Sequence, residues 1–153
     1  PALRGRHIHG VAVVGCLADL PQLLQDLAPE EVVLSSLPPE ERIAVVRAAA
    51  EAGAEAGWLL PKEAGPIKFG RVVKDLAGFS VDAVWMRDPG PKHRHPNGEI
   101  DLCFALDGEP RFDGNPEGWT VYGADTTHVP TVKGGTMLIL YFLPGGAIEF
   151  LGG

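Results

Sequence analysis

From Trp58 onward the chain alternates short apolar runs with glycine and proline. The runs are GWLLPK, PIKFGRVV, FSVDAVWM, EIDLCFAL, GWTVYG, HVPTV, TMLILYFL and AIEFL. Runs of this length, rich in β-branched and aromatic residues and bounded by turn formers, predict strands of an all-β barrel or sandwich. Upstream the texture differs, and residues 17–56 are rich in Leu, Ala and Glu. DLPQLLQDLAPEEV predicts a short helix with Asp19 as its cap and Pro21 in its first turn. SLPPEERIAVVRAAAEAGAEAG predicts a longer one, capped by Ser36, acidic in its first turn and decaying at Gly53 and Gly57. Ile43, Val46, Ala50 and Ala54 repeat at helical spacing, which predicts one apolar face. The expected fold is mainly β, with an N-terminal helical segment over residues 1–57 and a β-barrel domain over 58–153, in one structural unit.

The period of two along a strand gives GPKHRHPNGEIDLCFALDG its interest. Side chains at i and i+2 share a face. His93 and His95 therefore project together, and Pro96-Asn97-Gly98 turns the chain before Glu99 opens a second strand. Glu99, Asp101 and Cys103 share one face of that strand. Ile100, Leu102, Phe104 and Leu106 share the other, which is expected to pack as core. His128 follows a strand and a polar turn and is expected to begin the strand HVPTV. In a closed barrel it completes a set of three imidazoles and one carboxylate, suited to divalent Fe, Mn, Ni, Cu or Zn with open positions for a ligand. The alternative is a solvated turn with coincidental spacing, since a histidine pair alone carries little weight. His7 and His9 repeat the spacing with no carboxylate in step and are expected at the surface. Asp101 is open between proton transfer, support of the site and simple solvation. Cys103 is expected to be a small buried packer, Trp58, Trp85 and Trp119 core, and Tyr122 and Tyr141 structural.

Composition narrows the partners. The chain has 153 residues, which suits one domain, and a formal net charge of −7. That charge argues against nucleic acid or an anionic membrane, both of which select basic patches. Two cysteines, Cys16 and Cys103, imply no disulfide framework and a reduced, cytoplasmic setting. The basic start with its short apolar run is interrupted by glycine and is read as domain sequence rather than a signal peptide; the native start is expected to lie further upstream. A homo-oligomer is expected.

HRHPNGE followed by a later histidine resembles the two split motifs of the cupin superfamily. The resemblance implies a cupin-like barrel and a metal held by His93, His95, Glu99 and His128. There are departures: the glycine closing the first motif comes late, at Gly108, Asp125 stands at the usual glycine position of the second motif, and Val132 replaces its terminal asparagine. Over about residues 57–150, GPKHRHPNGEIDLCFALDGEPRFDG, GWTVYG, HVPTV and GGTMLILYFLPGGAIEF resemble the 4-hydroxylaminobenzoate lyase family of nitroaromatic-degrading bacteria. That resemblance implies conversion of 4-hydroxylaminobenzoate and water to 3,4-dihydroxybenzoate and ammonia, which is redox-neutral. That family resemblance carries no metal requirement of its own; from the residues a divalent metal (Fe, Mn, Zn or Ni) is expected, with catalytic roles for Glu99, Asp101 and His93, and the partner implied by the reaction is a small aromatic carboxylate. An arginine fork suits that carboxylate, with Arg71 and Arg87 expected ahead of Arg111. An Fe(II) dioxygenase of an aromatic substrate and a non-catalytic small-acid sensor are the rival readings.

Overall fold

The computed structural model describes residues 7–8, 11–12 and 39–152. The chain divides into two compact units, Pro1–Ala56 and Gly57–Gly153. In the first, strands β1 (His7–Ile8) and β2 (Val11–Ala12) form an antiparallel pair ahead of helix α1 (Pro39–Glu55). Pro39 opens the helix, where its missing N–H is no loss. Glu40 and Glu41 occupy the first turn, beside the positive end of the helix dipole. Gly57, at φ 79°, follows the last turn, a conformation that favours glycine as a helix stop. Val45, Ala50 and Ala52 are buried, whereas Ile43, Val46 and Ala54 are half-buried, so the alanine-rich run makes a broad apolar surface rather than a narrow stripe. The shorter helix expected from Asp19, and Ser36 as a cap, lie outside the described residues.

The second unit is built from β3 (Lys62–Ala64), β4 (Ile67–Leu76), β5 (Phe79–Met86), β6 (His93–His95), β7 (Glu99–Phe112), β8 (Gly118–Tyr122), β9 (Thr126–His128), β10 (Val132–Pro144) and β11 (Glu149–Phe150). Six of them form an antiparallel sheet in the order β3-β4-β5-β10-β7-β8, and three form a second sheet in the order β11-β6-β9. The architecture is mainly β, as expected. The barrel, however, is open, because the two sheets are not joined into one hydrogen-bonded ring. Pro91, Pro96 and Pro130 bound the short strands β6 and β9, and a residue without an N–H cannot extend a ladder. For the same reason HVPTV is not one strand. His128 ends β9, and the ladder resumes at Val132.

The core also departs from expectation. Its centre is Met86, Cys103, Phe112, Val132, Met137, Ile139, Tyr141 and Leu143, on the same face of the large sheet as Glu99 and Asp101. Leu102 and Phe104, on the opposite face, are buried as well, but Leu106 is exposed. The central strand β10 is therefore enclosed on both sides, with Met137, Leu138 and Ile139 all at 0% exposure. None of the three tryptophans expected in the core is fully buried: Trp58 is 61% and Trp119 55% exposed, and Trp85 is half-buried. Trp58 lies in the bend before β3, and Trp119 points outward from edge strand β8, its ring 6.0 Å from that of Phe142.

Where β7 crosses β10 the register slips between Lys133 and Gly135 and again between Thr136 and Met137. Gly108 sits at this irregularity with φ 67°, and a Cβ there would collide with the carbonyl oxygen of Gly134. Strain and collision act together. Gly108→Ala should therefore destabilise the fold by more than about 1 kcal/mol, whereas Val121→Ala on the exposed face of β8 should stay within about 0.5 kcal/mol. Urea denaturation of the two variants checks this, and equal midpoints would contradict it.

Candidate metal centre

Strands β6 and β9 pair antiparallel with His93 directly opposite His128. Alternation along β6 buries His93 and His95 and turns Arg94 outward. Pro96-Asn97-Gly98 then reverses the chain, with Gly98 at φ 86°, and delivers Glu99 as the first residue of β7. One tight turn thus carries the chain from the small sheet to the large one and sets a carboxylate beneath two imidazoles. His95 Nε2 lies 2.8 Å from Glu99 Oε2, and His128 Nε2 lies 3.7 Å from Glu99 Oε1. His93 Nε2 and His95 Nε2 lie 2.9 and 3.1 Å from His128 Nε2. All four donor atoms fall within 4.8 Å of one another.

Chemistry at the far side of each ring decides what this cluster is for. His93 Nδ1 is 3.0 Å from the carbonyl oxygen of Pro91, which can only accept, so Nδ1 carries the hydrogen. His128 Nδ1 is 2.8 Å from Asp113 Oδ2, a carboxylate oxygen, and is likewise the donor. In the neutral rings both Nε2 atoms are then bare acceptors, yet they stand 2.9 Å apart. Two lone pairs meet at that distance only around a cation or a shared proton. One proton cannot also serve His95 and Glu99. The His95–Glu99 contact is off the line of a hydrogen bond, and neither oxygen of Glu99 has a donor. Burial and the neighbouring imidazoles hold His93 down to about 4, so it stays a neutral ligand across the physiological range. Donor atoms about 2.1 Å from one ion and at right angles to each other are about 3.0 Å apart. The observed spacings of 2.8, 2.9 and 3.1 Å match that edge length. The residues present fit a divalent metal ion.

Two carboxylates support the cluster. Asp101 is fully buried, faces Glu99 and has no other donor. Burial, then the charge of Glu99, push it up to about 10, so it holds a proton at neutral pH. Asp113 was not among the expected site residues. In sequence it is an ordinary Asp-Gly turn, and only the pairing of distant strands brings it behind His128.

A cavity of about 560 Å³ adjoins the cluster. Its wall is mostly apolar, with Ile67, Phe69, Val84, Met86, Leu143 and Phe150, and His93 is the member of the cluster that reaches it. Arg71 also lines it and is held side-on by Asp82, Nε to Oδ1 at 2.8 Å and Nη2 to Oδ2 at 3.1 Å. Arg87 is not in this wall. It follows inward-facing Met86 on β5, so it points out, its guanidinium 5.9 Å from the Trp85 ring. Arg111 donates to the carbonyl of Gly114 at 3.2 Å. Tyr141 is part of the wall, its hydroxyl 3.8 Å from Met86 Sδ, a weak acceptor. Cys103 is buried, and its thiol is pushed up to about 12 by that burial, which leaves it a packing residue. His7 lies in β1, and His9 is outside the described residues.

The family profile described as PnbB, 4-hydroxylaminobenzoate lyase, matches residues 27–150. A 4-hydroxylaminobenzoate lyase of Nocardioides sp. is 33% identical over 86 residues, which covers 50% of this chain and 50% of the relative. The enzyme of the same name from Pseudomonas putida is 31% identical over 83 residues, covering 52% and 47%. The chain thus spans about half the length of the curated relatives it matches. Among solved structures, the DMSP lyase DddQ of Ruegeria pomeroyi aligns with a TM-score of 0.48 at 14% identity, covering 92% of this chain and 79% of that one. An RmlC-like cupin protein of Ralstonia eutropha aligns with a TM-score of 0.45 at 15% identity, covering 58% and 62%. Among the described residues no helix is long and apolar enough to cross a membrane.

The raised Asp101 gives the metal-free chain a pH signature. Above neutrality the unfolded Asp101 has lost its proton and the folded one keeps it, so the unfolded state binds fewer protons and stability falls as pH rises. The slope reaches about 1.4 kcal/mol per pH unit. His93 adds nothing above its ordinary value of 6.5, because both states are neutral there. Asp101→Asn should remove this dependence. Chemical denaturation of both proteins between pH 7 and 9 checks it, and parallel curves would refute the assignment.

Proposed function

The chain belongs to the 4-hydroxylaminobenzoate lyase family, and from that membership we propose that it converts 4-hydroxylaminobenzoate and water to 3,4-dihydroxybenzoate and ammonia. The observation that carries the reading is the single cavity wall shared by His93 of the metal-suited cluster and by Arg71. The volume of about 560 Å³ lies within the range of small-molecule sites and is ample for one substituted benzene ring.

Each part of the wall has a task. Asp82 takes the side-on edge of Arg71, Nε and Nη2, which leaves the Nη1–Nη2 edge to grip the substrate carboxylate. The apolar residues hold the ring and exclude bulk water. At the cluster end, a divalent metal held by His93, His95, Glu99 and His128 would supply Lewis acidity toward the hydroxylamino group. Asp101 is the proton store of this reading, and Tyr141, its partner in the β7–β10 register, presents a hydroxyl on the cavity wall. The N–O bond breaks with its electron pair on oxygen, which takes a proton and departs as water. The ring is left electron-poor and imine-like. Water adds at the ring carbon beside the nitrogen, and the ring regains aromaticity by releasing a proton. A second water hydrolyses the C–N bond of the imine tautomer and frees ammonia. Nitrogen is reduced and a ring carbon oxidised, so no external oxidant or reductant is consumed.

Under nitrogen the purified protein should yield 3,4-dihydroxybenzoate and ammonia in equal amounts. A requirement for oxygen would favour a dioxygenase, and binding without turnover a sensor. Glu99→Gln keeps the shape and removes the charge. It should lower turnover by at least about 100-fold while the thermal midpoint changes little. Arg71→Gln should raise KM about 10-fold or more and leave binding of an analogue without the carboxylate unchanged, and Arg87→Gln should alter neither. Full activity of Glu99→Gln would end this reading of the cluster.

A further inference from the structure

We propose that Asp113 is the positioning residue of the metal centre: it locks His128 with the hydrogen on Nδ1, aims Nε2 at the metal position and so sets the affinity for the ion. The inference rests on the metal reading of the cluster and is independent of which substrate the cavity takes.

His128 is the ligand that most needs such a device. His93 and His95 lie on β6, the middle strand of the small sheet, whereas His128 ends β9 at its edge. Its side chain retains 11% exposure, against 0% for those of His95 and Glu99. Immediately after it the ladder breaks at Val129 and Pro130. Neither burial nor strand pairing therefore holds its ring as they hold the rings on β6.

Asp113 supplies the missing constraint from another part of the chain. Its backbone N–H donates to the Thr131 carbonyl at 2.8 Å, and its Oδ1 accepts from the Thr131 N–H at 2.7 Å. These two bonds clamp the residue to the segment just beyond His128. Its Oδ2 then accepts from His128 Nδ1 at 2.8 Å and from the Tyr122 hydroxyl at 2.7 Å. The backbone of Asp113 is at φ 49°, a left-handed conformation uncommon for a residue other than glycine. Such strain persists where the surroundings over-determine it, and it concentrates at functional sites. A residue that only closed the turn would need the Thr131 bonds and no more. The second carboxylate oxygen, with two donors aimed at it, belongs to His128. The other two histidines have no carboxylate behind them: His93 leans on a backbone carbonyl, and His95 Nδ1 has no partner. A carboxylate behind the ring fixes its tautomer and makes the opposite nitrogen a stronger donor to a metal.

Asp113→Asn separates the two roles. Asparagine tolerates the left-handed conformation and can still accept from Thr131. It then turns an NH2 group toward His128 Nδ1, which drives the ring hydrogen to Nε2 and blocks the metal side. The readout is Co(II) binding to the full chain, followed by visible absorption and by competition with a chelator, with no turnover involved. Asp113→Asn should weaken Co(II) binding by about 10- to 100-fold. Tyr122→Phe, which removes only the competing donor on Oδ2, should leave it within about 3-fold. Long-range ¹H–¹⁵N spectra of the ¹⁵N-histidine-labelled, metal-free wild type should show His128 as the Nδ1–H form. That measurement stands even if Asp113→Asn does not fold. Wild-type affinity in Asp113→Asn, an Nε2–H form in the wild type, or a wild-type chain that takes up no Co(II) would each overturn the proposal. Lyase turnover, assayed separately, can fail without touching it.

Discussion

Everything in the second unit is arranged around one electrostatic difficulty: acceptor groups converging where water cannot go. Glu99 and Asp101 are enclosed in the same interior as Cys103, Ile139 and Tyr141. An ionised carboxylate without donors is expensive there, and bare imidazole nitrogens at contact distance add to the cost. The protonated Asp101 relieves part of it by adding no second negative charge beside Glu99. A cation at the meeting point would relieve the rest, and its binding free energy would then be folding free energy as well.

That view explains why the site borders the core instead of standing apart from it. A strand enclosed on both faces, β10, forms the stiff wall against which β7 is registered, and Asp101 is paired with Tyr141 on it. Precision at the cluster is bought by immobility on the side away from the cavity. On the cavity side the wall is apolar, and Arg71 with Asp82 presents a cation already neutralised by its neighbour. Such a pair offers a fixed set of donors with little net charge, in a chain that is acidic overall.

Much of this was readable along the chain. The period of two placed His93 with His95 and Glu99 with Asp101, and the Pro-Asn-Gly turn joined the pairs. Strand texture set the β-rich region apart from the helical one. What failed did so for physical reasons. Apolar and polar alternation along β7 suggested one dry and one wet face, but both faces are covered, and the polar face is the deeper one. Trp58 and Trp119 read as core because tryptophan is apolar, whereas position in a bend or on an edge strand decides exposure. Arg71 and Arg87 looked equivalent along the chain, but Arg71 lies within β4 opposite Asp82 and lines the cavity, whereas Arg87 lies just past the end of β5 and does not. Asp113 carries no local signal, since its role arises from Thr131 and His128, which meet it through tertiary pairing.

The sheet order has a bearing on how the molecule comes to exist. The hairpins β4–β5 and β7–β8 join neighbours in the chain, but β10 must insert between β5 and β7, pairing Met137 with Met86 across about fifty residues. Contacts that close so long a loop form slowly, which makes insertion of β10 the natural rate-limiting event of folding. Until it occurs, β5 and β7 each present an unpaired apolar edge, a template for another chain at high concentration. Yield on refolding should then be governed by dilution and speed at this one step, and the cavity, whose wall includes Tyr141 and Leu143, comes into being only when it is complete.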